Sequence, residues 1–280
     1  MTDLKKVATE IREIIKKRQE TLGLVFEEEK HIYTMNGRKD YPSVSKVLKK
    51  FYRAFPTEEA AYNKAGGDPE IQQKLIEEWA AAGTYSTNMG SRVHYLLEKK
   101  TLDKFEHQKE LRKPEFVCDI EQMIKGDAMI SAGESYLKLM KKRGAVLLDT
   151  ESVLGSPFLG YTGQPDKLWI MENKQRDGFG FVITDWKTNK PKNFETNDFT
   201  EAMYKPFQKY PNNALGHYYL QLPLYAKLLL DMLKGTKYED TKLLGCVVVL
   251  LKETGSYVEY KVPQDVINIV MEMNMKDYLK

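Results

Sequence analysis

The sequence predicts a mixed α/β fold of the α+β kind, with a mixed β-sheet core flanked by helices. Three patterns carry that expectation. Residues 168–171 and Phe179–Lys187 read as two strands joined by a polar turn, the second rich in β-branched and aromatic residues. Residues 217–233 place Tyr218, Leu222, Tyr225 and Leu229 at helical spacing. Residues 243–251 and 256–262 flank Glu253-Thr254-Gly255 and read as a closing hairpin.

In chain order, residues 4–19 form a charged amphipathic helix with Val7, Ile11, Ile14 and Ile15 as its apolar stripe. Residues 22–34 read as a hairpin, Leu24-Val25-Phe26 and His31-Ile32-Tyr33 around an acidic turn, with His31 in a structural role. Pro42-Ser43 opens a helix over 44–52, with Ser43 as its N-cap. Lys46, Lys49, Lys50 and Arg53 make one side of it basic, which suits either a solvated face or phosphate contacts. Residues 58–82 are helical on either side of Gly66-Gly67-Asp68-Pro69.

The next helix carries Gly90, His94 and Glu98. A spacing of four puts His94 and Glu98 on one face. Residues 101–113 read as a polar connection, mobile or frayed, and 114–143 as one long helix or a broken pair. Strands follow over 145–148, 151–154 and 159–171. Residues 188–213 form a long loop rich in Lys, Asn and aromatics, a length that is often functional inside a compact domain. Pro223 lies within the helix at 217–233, and Pro263 leads into a final helix. The expected organisation is an N-terminal hairpin and helical region at 1–88, packing on or covering a core at 89–280.

Composition narrows the function classes. The 280 residues are 42% hydrophobic and 30% charged, a balance that supports a sizeable core. A net charge of +3 is too mild to argue for nucleic acid, so local patches must carry any such reading. Two cysteines without Cys-x-x-Cys spacing exclude a disulfide scaffold, structural zinc and a cysteine-held cluster. No apolar run approaches membrane-spanning length, and residues 1–17 contain no apolar signal core. The expectation is a soluble intracellular protein.

The chemistry concentrates between Gly163 and Lys187. Side chains alternate along a strand, so Asp185 and Lys187 share one face and Trp186 takes the other. The preceding hairpin brings Asp166, which follows Gly163-Gln164-Pro165, beside that face. Two carboxylates and one ammonium converging there describe a metal site with a catalytic amine beside it. The bland alternative is a solvated Asp185–Lys187 pair on a surface hairpin.

Four motifs stand in order along the chain: Gly90-Ser91-Arg92-Val93-His94, Gly163-Gln164-Pro165-Asp166, Asp185-Trp186-Lys187 and Gln221-Leu222-Pro223-Leu224-Tyr225. This set resembles the PD-(D/E)XK nuclease superfamily and, within it, RecB-like exonuclease domains, over residues 90–262. Tyr41-Pro42-Ser43-Val44-Ser45-Lys46-Val47-Leu48, after the hairpin, is similar to the segment preceding the core in mitochondrial genome maintenance exonuclease and its phage relatives. Relatives with an iron–sulfur cluster carry four cysteines, so no such cluster is expected here.

The resemblance implies a restriction-endonuclease-like fold and a metal-dependent deoxyribonuclease. Asp166 and Asp185 would bind Mg²⁺ or Mn²⁺, with His94 and the Trp186 carbonyl as further ligands. Lys187 would orient the attacking water or stabilise charge on phosphate. Gln221 and Tyr225 would hold substrate or brace the site. Glu151 and Glu98 are possible accessory acids, Glu98 for a second metal or as a brace to Lys187. Ser43, Lys46, Lys190 and Lys192 would contact nucleic acid, and Phe194, Phe199, Tyr204 and Phe207, with Lys205 and Lys209, offer stacking faces and charge for a threaded strand. A solvated insertion explains that loop equally well.

The implied activity is exonucleolytic, on single-stranded or end-bearing DNA in replication, recombination or repair, in a bacterial or phage-infected cytoplasm, alongside replication or recombination proteins. The alternatives are a structure-directed endonuclease at flaps or branches and a catalytically silent nucleic-acid-binding protein.

Overall fold

The computed structural model describes residues 3–27, 30, 32–111, 115–174, 178–197 and 200–279. His31 and Phe199 lie outside the described residues. The chain begins with α1 (Leu4–Leu22), which Asp3 caps by accepting from the Lys5 and Lys6 amides and which ends at Gly23 in a left-handed conformation. A short antiparallel pair follows, β1 (Val25–Glu27) and β2 (Ile32–Thr34). Then come α2 (Val44–Leu48), α3 (Thr57–Lys64), α4 (Pro69–Lys104) and α5 (Ile120–Lys142).

The strands that hold the site are β3 (Val146–Thr150), β4 (Leu154–Ser156), β5 (Tyr161–Gly163), β6 (Lys167–Glu172) and β7 (Phe179–Lys187). Helix α6 (Ala214–Met232) leads to β8 (Lys242–Leu251), β9 (Tyr257–Lys261) and α7 (Gln264–Glu272). The central sheet has the order β3-β6-β7-β8-β9 and is mixed: only β7–β8 is parallel. The expected α+β architecture, a mixed sheet flanked by helices, is therefore the one observed.

Strand alternation sorts the sheet into two apolar layers. Trp169 and Trp186 point to one side, where Met89, Val93 and Leu97 of α4 and Tyr136 of α5 cover them. Leu168, Ile170 and Ile183 point to the other, under Leu220, Leu224 and Leu228 of α6, with α1, α2 and α7 in the same layer. Lys227 joins α6 to α7 by donating to the carbonyls of Val270 (2.8 Å), Met271 (3.0 Å) and Met273, the orphan acceptors at the end of α7.

Several local expectations are corrected. Helix α4 does not restart near residue 88; its 36 residues run unbroken through Gly83 and Gly90, about 54 Å at 1.5 Å per residue. Its first half lies outside the core and pairs with α3, and only from Met89 onward does it meet the sheet layer. The helix also crosses the division at residue 88. Residues 101–104 belong to α4, and just beyond them Phe105 sits edge-on to buried Trp169 at 4.9 Å, so that point of the connection is packed rather than frayed. Residues 112 and 113 lie outside the described residues. Helix α2 ends at Leu48, short of residue 52. Residue 151 does not continue a strand: Glu151 has φ +46°, and its N–H is taken by the Asp166 carbonyl at 3.1 Å.

The long loop at 188–213 is anchored too. Phe194 and Phe207 are buried in the α6-side layer, so they are core residues and not stacking faces for a strand. The Tyr204 amide donates to Phe51 O at 2.7 Å, and Asn212 donates to Arg53 O at 2.9 Å. Among the described residues no helix is long and apolar enough to cross a membrane.

Candidate metal centre

The site lies at one end of the sheet, where β7 finishes, β6 begins and α4 passes overhead. Gly90 faces the end of β7 closely: a Cβ there would fall 2.9 Å from Thr188 Oγ1, so a side chain at this turn would require the threonine hydroxyl to shift. One turn later, His94 Nδ1 lies 3.4 Å from Asp166 Oδ2. The same Asp166 oxygen accepts the Trp186 backbone N–H at 2.7 Å, locking the acid between β6 and β7.

Glu151 completes a group. One donor atom each from His94, Glu151 and Asp166 lie within 4.8 Å of one another. Asp185 stands beside them with its Oδ2 paired to the Lys187 ammonium. Lys187 Nζ also sits 4.2 Å from the centre of the Tyr218 ring, and the Tyr218 hydroxyl donates to Asn189 Oδ1 at 2.9 Å. Asp185 and Lys187 thus share a face, and Trp186 takes the other, edge-on to Tyr136 at 5.3 Å.

The charges are crowded. Burial and the neighbouring Asp166 charge push the Glu151 carboxyl well above the ordinary range, with Lys167 opposing. Burial and Asp166 likewise raise Asp185, against the pull of Lys187. Burial also works to raise Asp166, but His94, Lys167 and Lys187 outweigh it and hold that carboxyl below its usual value. Burial opposes the charge on Lys187, yet Asp185 and Tyr218 keep its pKa above that of an ordinary lysine. Carboxylates that repel one another around an imidazole are a donor set a hard or borderline divalent cation relieves. The residues fit such an ion.

The remaining sequence-derived candidates divide. Gln221 Nε2 donates to the Tyr225 hydroxyl at 3.0 Å, and the Tyr225 ring packs against Gly163, where a Cβ would fall 2.6 Å from Tyr225 Cε1. Both therefore brace the turn that leads to Asp166. Glu98 is buried and accepts from Thr150 Oγ1 at 2.7 Å, with Lys109 Nζ 4.0 Å away; it meets those residues and not Lys187. Ser43 caps α2, accepting from the Lys46 amide at 3.4 Å, and forms a parallel bridge to Thr162 beside the site. Lys46, Lys190 and Lys192 are exposed, the last two just past the end of β7.

Sequence reasoning missed four residues here. Tyr218 follows α6 periodicity and reads as core. Lys167 adjoins Asp166 in sequence, yet its almost completely buried ammonium donates to the Asp166 carbonyl at 3.2 Å. Tyr33, from β2, has its phenol pushed up by burial and by the Glu151 charge. Lys109 lies in the α4–α5 connection, where no periodicity marks it. Neither a protein-family model nor a curated protein matches the chain.

Proposed function

We propose that the chain is a divalent-metal-dependent nuclease that hydrolyses phosphodiester bonds in DNA, acting as an exonuclease on single-stranded or end-bearing strands. One observation carries the reading: an imidazole and two carboxylates from three separate elements converge beside a caged Asp185–Lys187 pair. The motif order resembling RecB-like nuclease domains supplies the choice of phosphodiester as the bond cleaved and of exonucleolytic action.

His94, Glu151 and Asp166 would hold the ion, with Asp185 and the Trp186 carbonyl as the further donors the motif suggests. Mg²⁺ or Mn²⁺ suits oxygen donors with one imidazole. When bound, the ion supplies Lewis acidity toward phosphate and lowers the pKa of a water. The chain's own contribution centres on Lys187. Its ammonium is charged, largely dehydrated and aimed by Asp185 and Tyr218, so it can stabilise charge on a phosphate oxygen without reorganising. Exposed Lys46, Lys190 and Lys192 offer phosphate contacts around it. A role in replication, recombination or repair, inside a cell, goes with this activity.

The test is digestion of linear and circular single-stranded DNA in Mn²⁺. Wild type should degrade the linear strand and spare the circle, and Asp185→Ala and Lys187→Ala should lose cleavage while keeping DNA binding. Unchanged cleavage by either variant sinks the assignment. Efficient cutting of the circle removes the exonuclease mode and favours a structure-directed endonuclease.

A further inference from the structure

Glu151, a possible accessory acid in the sequence, is the member of the metal group whose backbone is held against its own preference, a non-glycine residue at φ +46°. Its peptide is tethered from several directions. The N–H donates to Asp166 O at 3.1 Å, and the carbonyl accepts from Gln164 Nε2 at 3.1 Å. The remaining tether comes from outside the sheet. Lys109 Nζ donates to the Thr150 carbonyl and to the Glu151 carbonyl at 3.3 Å. The same ammonium lies 3.7 Å from Asp149 Oδ1 and 4.0 Å from Glu98 Oε1, which accepts from Thr150 Oγ1. One half-buried lysine thus gathers the carbonyls of residues 150 and 151 and the acids on either side of them.

We propose that Lys109 is a positioning residue for the metal centre: it clamps the 150–151 peptides so that the Glu151 carboxylate is presented to His94 and Asp166. This rests on the metal-centre reading above. Three features support it. The contacts are to backbone carbonyls, which fix a conformation in a way that mere charge balance does not. The clamped residue has the one left-handed backbone in the metal group. The lysine comes from a connection that Phe105 docks against the sheet layer, so the clamp has a firm base. A lysine that only neutralised Glu98 and Asp149 would leave the Glu151 backbone unaffected.

The experiment measures Mn²⁺ binding to the full chain by titration calorimetry without DNA, for wild type, Lys109→Met, Lys109→Arg, Glu151→Gln and the Lys109→Met/Glu151→Gln double variant. Lys109→Met should weaken Mn²⁺ about tenfold, the loss typical of removing a support behind a ligand. Lys109→Arg, which keeps donors for the carbonyls, should recover most of it. In the Glu151→Gln background Lys109→Met should add nothing, since its effect runs through that carboxylate. Wild-type affinity in Lys109→Met, or a full tenfold loss that persists in the Glu151→Gln background, overturns the proposal. Failure of wild type itself to bind Mn²⁺ removes the metal centre, and the clamp with it, a result distinct from intact binding that Lys109→Met leaves unchanged. If thermal unfolding shows Lys109→Met unfolded, the comparison of Lys109→Gln with Lys109→Arg is read the same way.

Discussion

His94 Nδ1 and Asp166 Oδ2 meet at 3.4 Å across the gap between a helix and a strand end, and the acid's same oxygen also accepts the Trp186 amide. The two residues therefore differ in what they hold together. His94→Ala should cost Mn²⁺ affinity at least about tenfold with little change in stability. Asp166→Ala should cost the same affinity and also destabilise the fold by about 1–3 kcal/mol, because it leaves the buried Trp186 N–H without an acceptor. Calorimetry and urea denaturation of both variants check the split. Equal destabilisation by the two would mean that the Asp166–Trp186 bond does not hold the strands.

Lys187 is caged rather than free, which separates its two contributions. On the proposed nuclease function, Lys187→Met should lower the rate of cleavage by about a hundred- to a thousandfold, the usual loss for one preorganised donor. It also strands buried Asp185, for up to about 3–5 kcal/mol, less to the extent that Asp185 takes up a proton. Adding Asp185→Asn should return much of that stability and none of the activity. Denaturation and cleavage assays on the single and double variants decide it, and recovery of activity in the double variant would remove Lys187 from the chemistry.

His217 predicts a pH dependence away from the site. Its ring stacks on Tyr52 at 3.7 Å and pairs through Nε2 with Asn212 Oδ1 at 2.7 Å, and burial pushes its pKa down to about 4. The folded state keeps this histidine neutral while the unfolded chain protonates it near its ordinary value of about 6.5. Between those values the unfolded state binds more protons, so stability falls as pH drops from about 6.5 towards 4. His217→Phe keeps the stack and removes the titration. Its stability profile, measured by denaturant, should be flatter than that of wild type across that window, and an identical slope would clear His217 of any role.

How much of this was legible follows from what each signal depends on. The alternation in β7 depends only on strand geometry, so Asp185 and Lys187 on one face and Trp186 on the other could be read directly. The continuity of α4 through Gly83 could not. Propensity marks glycine as a breaker, whereas the first half of α4 is supported by its packing on α3. Phe194 and Phe207 looked like stacking faces because a polar loop hides the apolar layer that swallows them. Glu151 could be named as a possible accessory acid, but not its left-handed backbone or the Lys109 contact that comes from the α4–α5 connection, neither of which has any periodicity.

Gly163 tests whether the Gly-containing turn before Asp166 is needed for flexibility or for space. Its φ lies outside the left-handed range, so conformational freedom is not what keeps glycine there. A Cβ at this position would fall 2.6 Å from Tyr225 Cε1 and 2.8 Å from Val44 Cγ2, squeezed between α6 and α2. Gly163→Ala should therefore destabilise by about 1–3 kcal/mol through overpacking. It should also disturb the Gln221–Tyr225 hydrogen bond that buttresses the turn. Pairing Gly163→Ala with Val44→Ala relieves only one of the two clashes, whereas pairing it with Tyr225→Leu relieves the closer one. Denaturation of Gly163→Ala, the two double variants and the Tyr225→Leu and Val44→Ala single variants should show a smaller penalty for Gly163→Ala in the Tyr225→Leu background than in the Val44→Ala background. The reverse ranking would show that α2, and not the tyrosine of α6, sets the space at the entrance to Asp166.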